Sequence, residues 1–273
     1  MKQKSLYDNK VFRTVAPIAF GILFLLFWQF GGMHWLLHLK SYDFPVPTQI
    51  AEVFRKNYSI LWHHTVVTAT EALVGLVIGS ILGFGVAVLA AWFPTWGYGG
   101  LALMSAINAI PTTAMAPIMN NWFGRGEGSK IAVVIFFTMA AMAINTYRGL
   151  TVLPPFAIDL MKSYNATNKE IFLNLRLPNC VPSIFTALRV TTTTSMLSAI
   201  IAEFFSSYAG LGFKVNSVLQ EGKNAEGWAY IICASLFGIV MYLLVGVVEK
   251  RCTRWNAAVC CNLKVPKIGI KIP

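Results

Sequence analysis

Near-continuous apolar runs, each closed by a polar or glycine-rich interval, recur six times along this chain. They cover Val15–Trp35, Thr65–Trp92, Gly97–Asn121, Lys130–Leu150, Ile184–Phe205 and Ala229–Val248. Runs of about 18 or more apolar residues match a hydrocarbon core of ~30 Å at ~1.5 Å per helical residue. The pattern predicts an all-α, polytopic membrane protein of about six transmembrane helices. One interval differs from the rest. Between the fourth and fifth runs lies a compact, mixed-charge, helix-prone loop at about residues 152–183. A loop of that character between two spans points to a partner held on that side of the membrane.

Within that loop, Pro154-Pro155 suits the first turn of a helix. Phe156, Leu160 and Tyr164 then fall at four-residue spacing on one face, a knob for a groove in a partner. The competing reading is an amphipathic helix lying against its own bundle or the lipid surface. Leu177-Pro178 and Val181-Pro182 are expected to break the chain before the fifth span.

The other intervals and spans carry further punctuation. Phe44 to Gln49 reads as extended, with Thr48 as the cap of a short interfacial helix through Tyr58. Gly75, Gly79 and Gly83 share one helix face, where small residues allow a neighbouring helix to approach closely. Glu71 lies on that face and Glu203 near the outer end of the fifth span. A carboxylate inside a span costs about 3 kcal/mol on insertion scales, so each is a buried strut or lines the pathway. Pro111 and Pro117 interrupt the third span, and irregular backbone at membrane depth is expected in the interior. The run Thr191 to Ser195 is either a wetted surface or hydroxyls bonded to their own helix.

Composition agrees. Hydrophobic residues make up 56% of the 273 and charged residues 12%, against about 25% charged in soluble domains. The net charge of +11 invites a nucleic-acid partner, but its distribution argues against one. With both termini cytoplasmic, 15 of the 22 lysines and arginines fall on the cytoplasmic side, as the positive-inside rule requires. This divides the chain into a cytoplasmic segment 1–14, a transmembrane domain 15–250 and a basic cytoplasmic tail 251–273. The first span lacks a small-x-small cleavage site and is expected to be retained. Cys260-Cys261 could indicate metal binding or acylation, but no partner ligands stand at the right spacing, so incidental thiols are expected.

Chemistry-bearing motifs are missing. Gly124 to Lys130 superficially matches a phosphate-binding loop, but Ser129 occupies the glycine position before the lysine and no strand precedes it. His34, His38, His63 and His64 cluster near the outer boundary, where interfacial hydrogen bonding accounts for them. No catalytic residue, cofactor site or metal site is expected in this chain.

Several segments, in order over roughly residues 45 to 250, carry a family likeness. Val46-Pro47-Thr48 is the first, and Ile110 to Pro117, Trp122-Phe123-Gly124 and Ser129-Lys130-Ile131 come next. Asn145 to Leu150, Leu177-Pro178 through Leu188-Arg189, and Ala202-Glu203 with Gly210-Leu211-Gly212 follow. Together they resemble the ABC importer permeases of the nitrate/sulfonate/taurine/bicarbonate type, whose docking ("EAA") loop ends in a Leu-Pro pair. The resemblance implies a type I ABC importer permease fold in a bacterial-type cytoplasmic membrane. It implies a second permease copy, two cytosolic ABC ATPase subunits that hold ATP and Mg, and an external solute-binding protein. By the same resemblance Asp159, Leu160, Tyr164, Asn165, Ala166, Glu170, Leu177 and Pro178 form the ATPase-coupling loop. The chain departs from the family where Asn165 replaces a glycine and Met161 an alanine; asparagine tolerates the left-handed turn a glycine would make.

Asn108, Thr112, Asn145, Thr192 and Ser195 are polar, uncharged and near mid-span, and with Glu71 and Glu203 they are the candidates for the pathway. By the same resemblance the expected substrate is a small solute, either a nitrate-, sulfonate-, taurine- or bicarbonate-like anion or a vitamin precursor such as a thiamine-type pyrimidine. A stand-alone carrier or channel is the alternative, although the repeat-related broken helices common in carriers are not evident. A membrane enzyme is disfavoured by the lack of paired catalytic residues.

Overall fold

The computed structural model describes residues 10–38, 42–205 and 207–253. Segment 1–9, most of the basic tail, Cys260 and Cys261 therefore lie outside the described residues. In chain order the helices are α1 (Lys10–Gln29), α2 (Gly32–Leu37), α3 (Pro47–Lys56), α4 (Tyr58–Trp92), α5 (Pro94–Asn108) and α6 (Thr112–Phe123). They continue with α7 (Glu127–Thr151), α8 (Ala157–Ser163), α9 (Asn168–Ile171), α10 (Leu177–Phe205), α11 (Leu211–Gln220) and α12 (Asn224–Cys252). No strand occurs among the described residues.

By length and composition, α4, α7, the merged helix Asn168–Phe205 and α12 can each cross a membrane. The bent pair α5–α6 makes a fifth span if taken as one, and Val15–Gln29 is a shorter apolar helix. About six apolar elements are thus present, but the third is not the straight span expected. Its halves meet at 101°. Pro111 has no N–H to continue α5, so Ala109 and Ile110 close with tight bonds to Ala106 and Ile107 carbonyls, each 3.1 Å. The Pro111 carbonyl then accepts from Ala114 and Met115 and starts α6 in a new direction. Pro117, expected to interrupt as well, sits inside α6 without ending it.

The expected break before the fifth span is absent. A π-helical turn, Phe172–Arg176, joins α9 to α10, and the Leu177 N–H reaches back five residues to the Phe172 carbonyl. The wider turn shifts the carbonyls that a proline ring would strike in α-helical register, so Pro178 enters without a kink. Pro182 lies within the continuous helix.

The chain forms two compact units, one of Met1–His63 with Lys214–Cys233, the other of His64–Phe213 with Ala234–Pro273. In the first, Trp28, Phe44 and Trp228 pack ring on ring at 5.2–5.9 Å. Thr48 is not the cap of α3: Pro47 occupies the first helical position and the Gln49 side chain accepts from the Val46 N–H. Thr48 instead pairs twice with the Gln29 amide, at 3.0 and 3.2 Å.

In the second unit α4, α7 and α10 pack side by side. A Cβ on Gly75, Gly79 or Gly83 would lie 2.5–2.8 Å from side-chain or backbone atoms around Val134, Thr138, Met139 and Met142. The glycine face is therefore the α4–α7 seam. Gly149 does the same for α7 against α10, facing Ser183 and the Cys180 backbone.

Candidate functional site

The loop between α7 and α10 is built from local signals. Pro154 and Pro155 do not start the helix. Pro155 and Phe156 form a turn closed by the Ala157 N–H on the Pro154 carbonyl, and Phe156 adopts a left-handed φ of 62° before α8 begins at Ala157. Phe156, Leu160 and Tyr164 are 80%, 60% and 79% exposed, so the apolar face of α8 has no cover from this chain. Asn165 has φ 55°, the left-handed conformation. Its N–H donates to the Lys162 carbonyl at 2.9 Å, and the Ala166 N–H to the Met161 carbonyl at 3.1 Å. This reciprocal pair is the Schellman stop, which satisfies orphan carbonyls at a helix end.

Thr167 then opens α9. Glu170 N–H donates to the Thr167 hydroxyl oxygen at 3.3 Å, while the Glu170 carboxylate accepts from the Thr167 N–H at 2.7 Å and hydroxyl at 2.9 Å. Glu170 is thus one half of a capping box, and Asp159 is exposed on α8. At the loop's end Leu177 and Pro178 are half-buried. Asn179 donates to the Gly149 and Val152 carbonyls, both at 3.0 Å, tying the end of α7 to the start of α10. The loop is a sequence of hard stops between two helices.

A second cluster lies at the other end of these helices. The first N–H groups of α11 are orphan donors, and three in succession are taken by side chains. Gly210 N–H donates to His64 Nδ1 at 3.1 Å, Leu211 N–H to Thr68 Oγ1 at 2.8 Å, and Gly212 N–H to Glu203 Oε2 at 2.6 Å. Glu71 meets Glu203, and Lys130 adds its charge to both. Lys130 and Glu203 are wholly buried. The Lys130 ammonium donates to the Arg125 and Gly126 carbonyls at 2.6 and 3.1 Å, so its loop carbonyls point inward and cradle a cation rather than a phosphate. Glu71 and Glu203 are accordingly placed inside a clamp of α4, α7, α10 and α11.

The remaining pathway candidates are dispersed. Asn108 is exposed at the end of α5 and Thr112 half-buried at the start of α6, flanking the 101° bend. Asn145 is half-buried and its amide donates to the Ala141 carbonyl at 2.8 Å. Thr192 and Ser195 are buried, with hydroxyls bonded to the Leu188 and Thr192 carbonyls of their own helix. The cavity they line with Leu76, Phe237 and Met241 has only about 10 Å³, no more than one water needs. The Asn108–Pro111 backbone, expected inside, lies on the surface of the single chain.

Comparison with known proteins decides the class. Residues 75–254 match the family described as binding-protein-dependent transport system inner membrane component. The chain belongs to this family. A probable ABC transporter permease protein of Haemophilus influenzae is 29% identical over 201 residues, spanning 74% of this chain and 81% of the relative. The formylaminopyrimidine transport permease protein ThiX of Halalkalibacterium halodurans is 25% identical over 249 residues, 91% of this chain and 98% of its own. Among solved structures, a chain of the MetNI methionine ABC transporter superposes with TM-score 0.59 at 18% identity, covering 70% of this chain and 93% of that one. The fold is that of the type I importer permeases.

For this permease component, sequence reasoning missed three groups. Lys130 opens the fourth apolar run, and its place after Gly124-Arg125-Gly126 is the signal for its burial, since Gly124 has φ 77° and turns the loop over the lysine. His64 reads from sequence only as an interfacial hydrogen-bonding group, and Thr68, one turn on along α4, carries no signal, because their partners lie over 140 residues away. Arg189 closes one of the family-like segments, and nothing in the sequence marks its partner. It pairs with Glu249 at 2.6 Å, lies 5.4 Å over the Tyr242 ring and packs where Gly246 leaves room.

Proposed function

We propose that this chain forms the translocation pathway of an ATP-driven importer as one of two identical permease subunits. The observation that carries the reading is the bend at Asn108–Thr112. It leaves irregular backbone and an amide side chain on the surface midway along an apolar candidate span, where lipid could not satisfy them and protein or a water-filled cavity must cover them. A second copy set against this face supplies both, with the path between them.

The exposed face of α8 supports the other partner. Cytosolic ATPase subunits, carrying ATP and Mg, dock on Phe156, Leu160 and Tyr164, and both termini lie on that side. Because Asn179 clips α7 to α10 and the π turn leads into α10 without a break, movement of the loop passes directly into a helix of the bundle. An external solute-binding protein delivers a small heteroaromatic solute of the formylaminopyrimidine kind, the cargo named for the relative that spans nearly the whole chain.

The test is reconstitution with the ATPase and binding protein. Leu160→Asp or Tyr164→Asp abolishes solute-stimulated ATP hydrolysis and uptake while membrane insertion is retained. Wild-type coupling in both variants overturns the docking reading, and uptake of sulfonate or nitrate in place of the pyrimidine overturns the substrate.

A further inference from the structure

Where α4 ends, the chain leaves a cavity of about 370 Å³ whose walls include Ala91, Trp92, Ile158, Lys162, Phe172 and Arg176. We propose that this cavity is a headgroup site for an anionic phospholipid, with Lys162 and Arg176 as the cationic partners of its phosphate.

Charge is the first reason. Two cations line the cavity and no carboxylate does. The ion pairs among the described residues involve Lys56, Arg189 and Lys223, so neither Lys162 nor Arg176 is neutralised by one. Of the carboxylates on the neighbouring helices, Glu170 on α9 is already committed to the Thr167 N–H and hydroxyl, and Asp159, three residues before Lys162 on α8, is exposed and outside the ion pairs of the described residues. A bound phosphate completes a site that the chain itself leaves positive.

Position is the second. The apolar run of α4 stops at Trp92, whose ring meets Phe172 edge-on at 5.3 Å. Tryptophan at the end of a span marks headgroup level. Leu89 and Phe93 are exposed beside it, a wall for acyl chains. Basic pockets between helix ends at the cytoplasmic surface are the general form of lipid headgroup sites. The volume suits a headgroup while the chains run down the outside of the bundle.

Orientation is the third. Ile158 and Lys162 are one turn apart on α8, on the face opposite Leu160. A lipid in the cavity and an ATPase on Leu160 therefore hold α8 from two sides without competing. The inference needs only that this end of the bundle meets the membrane surface. It is read without any ATPase present, so its failure is separate from failure of the docking reading.

The experiment uses the full chain in nanodiscs of phosphatidylcholine containing a minor share of phosphatidylglycerol, with retained lipid counted by native mass spectrometry. Wild type and a Lys250→Gln/Arg251→Gln control retain phosphatidylglycerol. Lys162→Gln/Arg176→Gln binds it about 30-fold more weakly and Lys162→Gln alone, on an exposed helix face, about fivefold more weakly. Equal retention in Lys162→Gln and wild type overturns the site. In pure phosphatidylcholine discs, phosphorus NMR with inorganic phosphate separates the sources: no saturable binding supports the lipid, whereas saturable binding that blocks phosphatidylglycerol overturns it in favour of a free anion.

Discussion

Glu203 Oε2 accepts the Gly212 N–H at 2.6 Å, across a loop that only glycine can close. Gly210 has φ 104°, and a Cβ there would lie 2.2 Å from the Glu203 carboxyl carbon. A Cβ on Gly212 would lie 2.1 Å from the Ile200 carbonyl oxygen. The Ala202-Glu203 and Gly210-Leu211-Gly212 segments are thus one object, a carboxylate and the two-glycine loop folded over it. Carboxylates favour helix N-termini, and burial sharpens that preference because no water competes for the N–H groups.

Gly210→Ala should lower the thermal unfolding temperature of the purified protein, because the left-handed backbone and the carboxylate both oppose a side chain. Strained positions of this kind cost about 1–3 kcal/mol. Gly85→Ala, inside α4 where nothing lies within 4 Å of the added Cβ, should not lower it. Equal melting of the two variants would show that the loop relaxes freely.

Asn165 sits at φ 55° in the Schellman stop of α8. Asn165→Gly should be neutral or slightly stabilising and keep coupled ATP hydrolysis. Asn165→Val should lose it, since a β-branched side chain is strained in this conformation by about 1–2 kcal/mol. The readout is solute-stimulated ATPase activity at matched expression; indistinguishable variants would mean that the turn does not position α8.

Arg189 and Glu249 form an ion pair between α10 and α12, with the carboxylate side chain 13% exposed. Removing one partner leaves the other charge poorly solvated. Arg189→Ala should therefore destabilise by about 1–3 kcal/mol, less than the 3–5 kcal/mol of fully buried pairs because the guanidinium is partly exposed. Glu249→Gln in the Arg189→Ala background should recover part of that loss. A double-mutant cycle in a detergent melt measures the coupling, and additive losses would show the pair to be inert.

The sequence made the spans legible because apolar runs report membrane depth directly. The stop at Asn165 was legible because the residue type itself constrains φ. The Thr167–Glu170 capping box is legible as Thr-x-x-Glu, and it gives Glu170 a local structural part beside the coupling role that the resemblance implies. What sequence could not give was rotation and distance. Glu71 and Glu203 looked alike as strut or pathway residues until Lys130, Thr68 and Gly212 closed round them. Pro111 and Pro178 looked alike as breakers, yet one turns the chain by 101° and the other rides on a π turn.

The same rotation decides which thiols reagents can reach. Asn108 lies on the surface beside the bend, whereas Thr192 and Ser195 are buried over a cavity of about 10 Å³. In membranes without ATP or binding protein, Asn108→Cys should react with a small water-soluble maleimide and Thr192→Cys should not. If two copies meet over the bend with water between them, the Asn108→Cys thiols should also cross-link under mild oxidation. Reaction at Thr192→Cys during ATP turnover alone would mean that α10 rotates its hydroxyl face into the path. An Asn108→Cys thiol that stayed unreactive and uncross-linked through the whole cycle would move the path away from the bend.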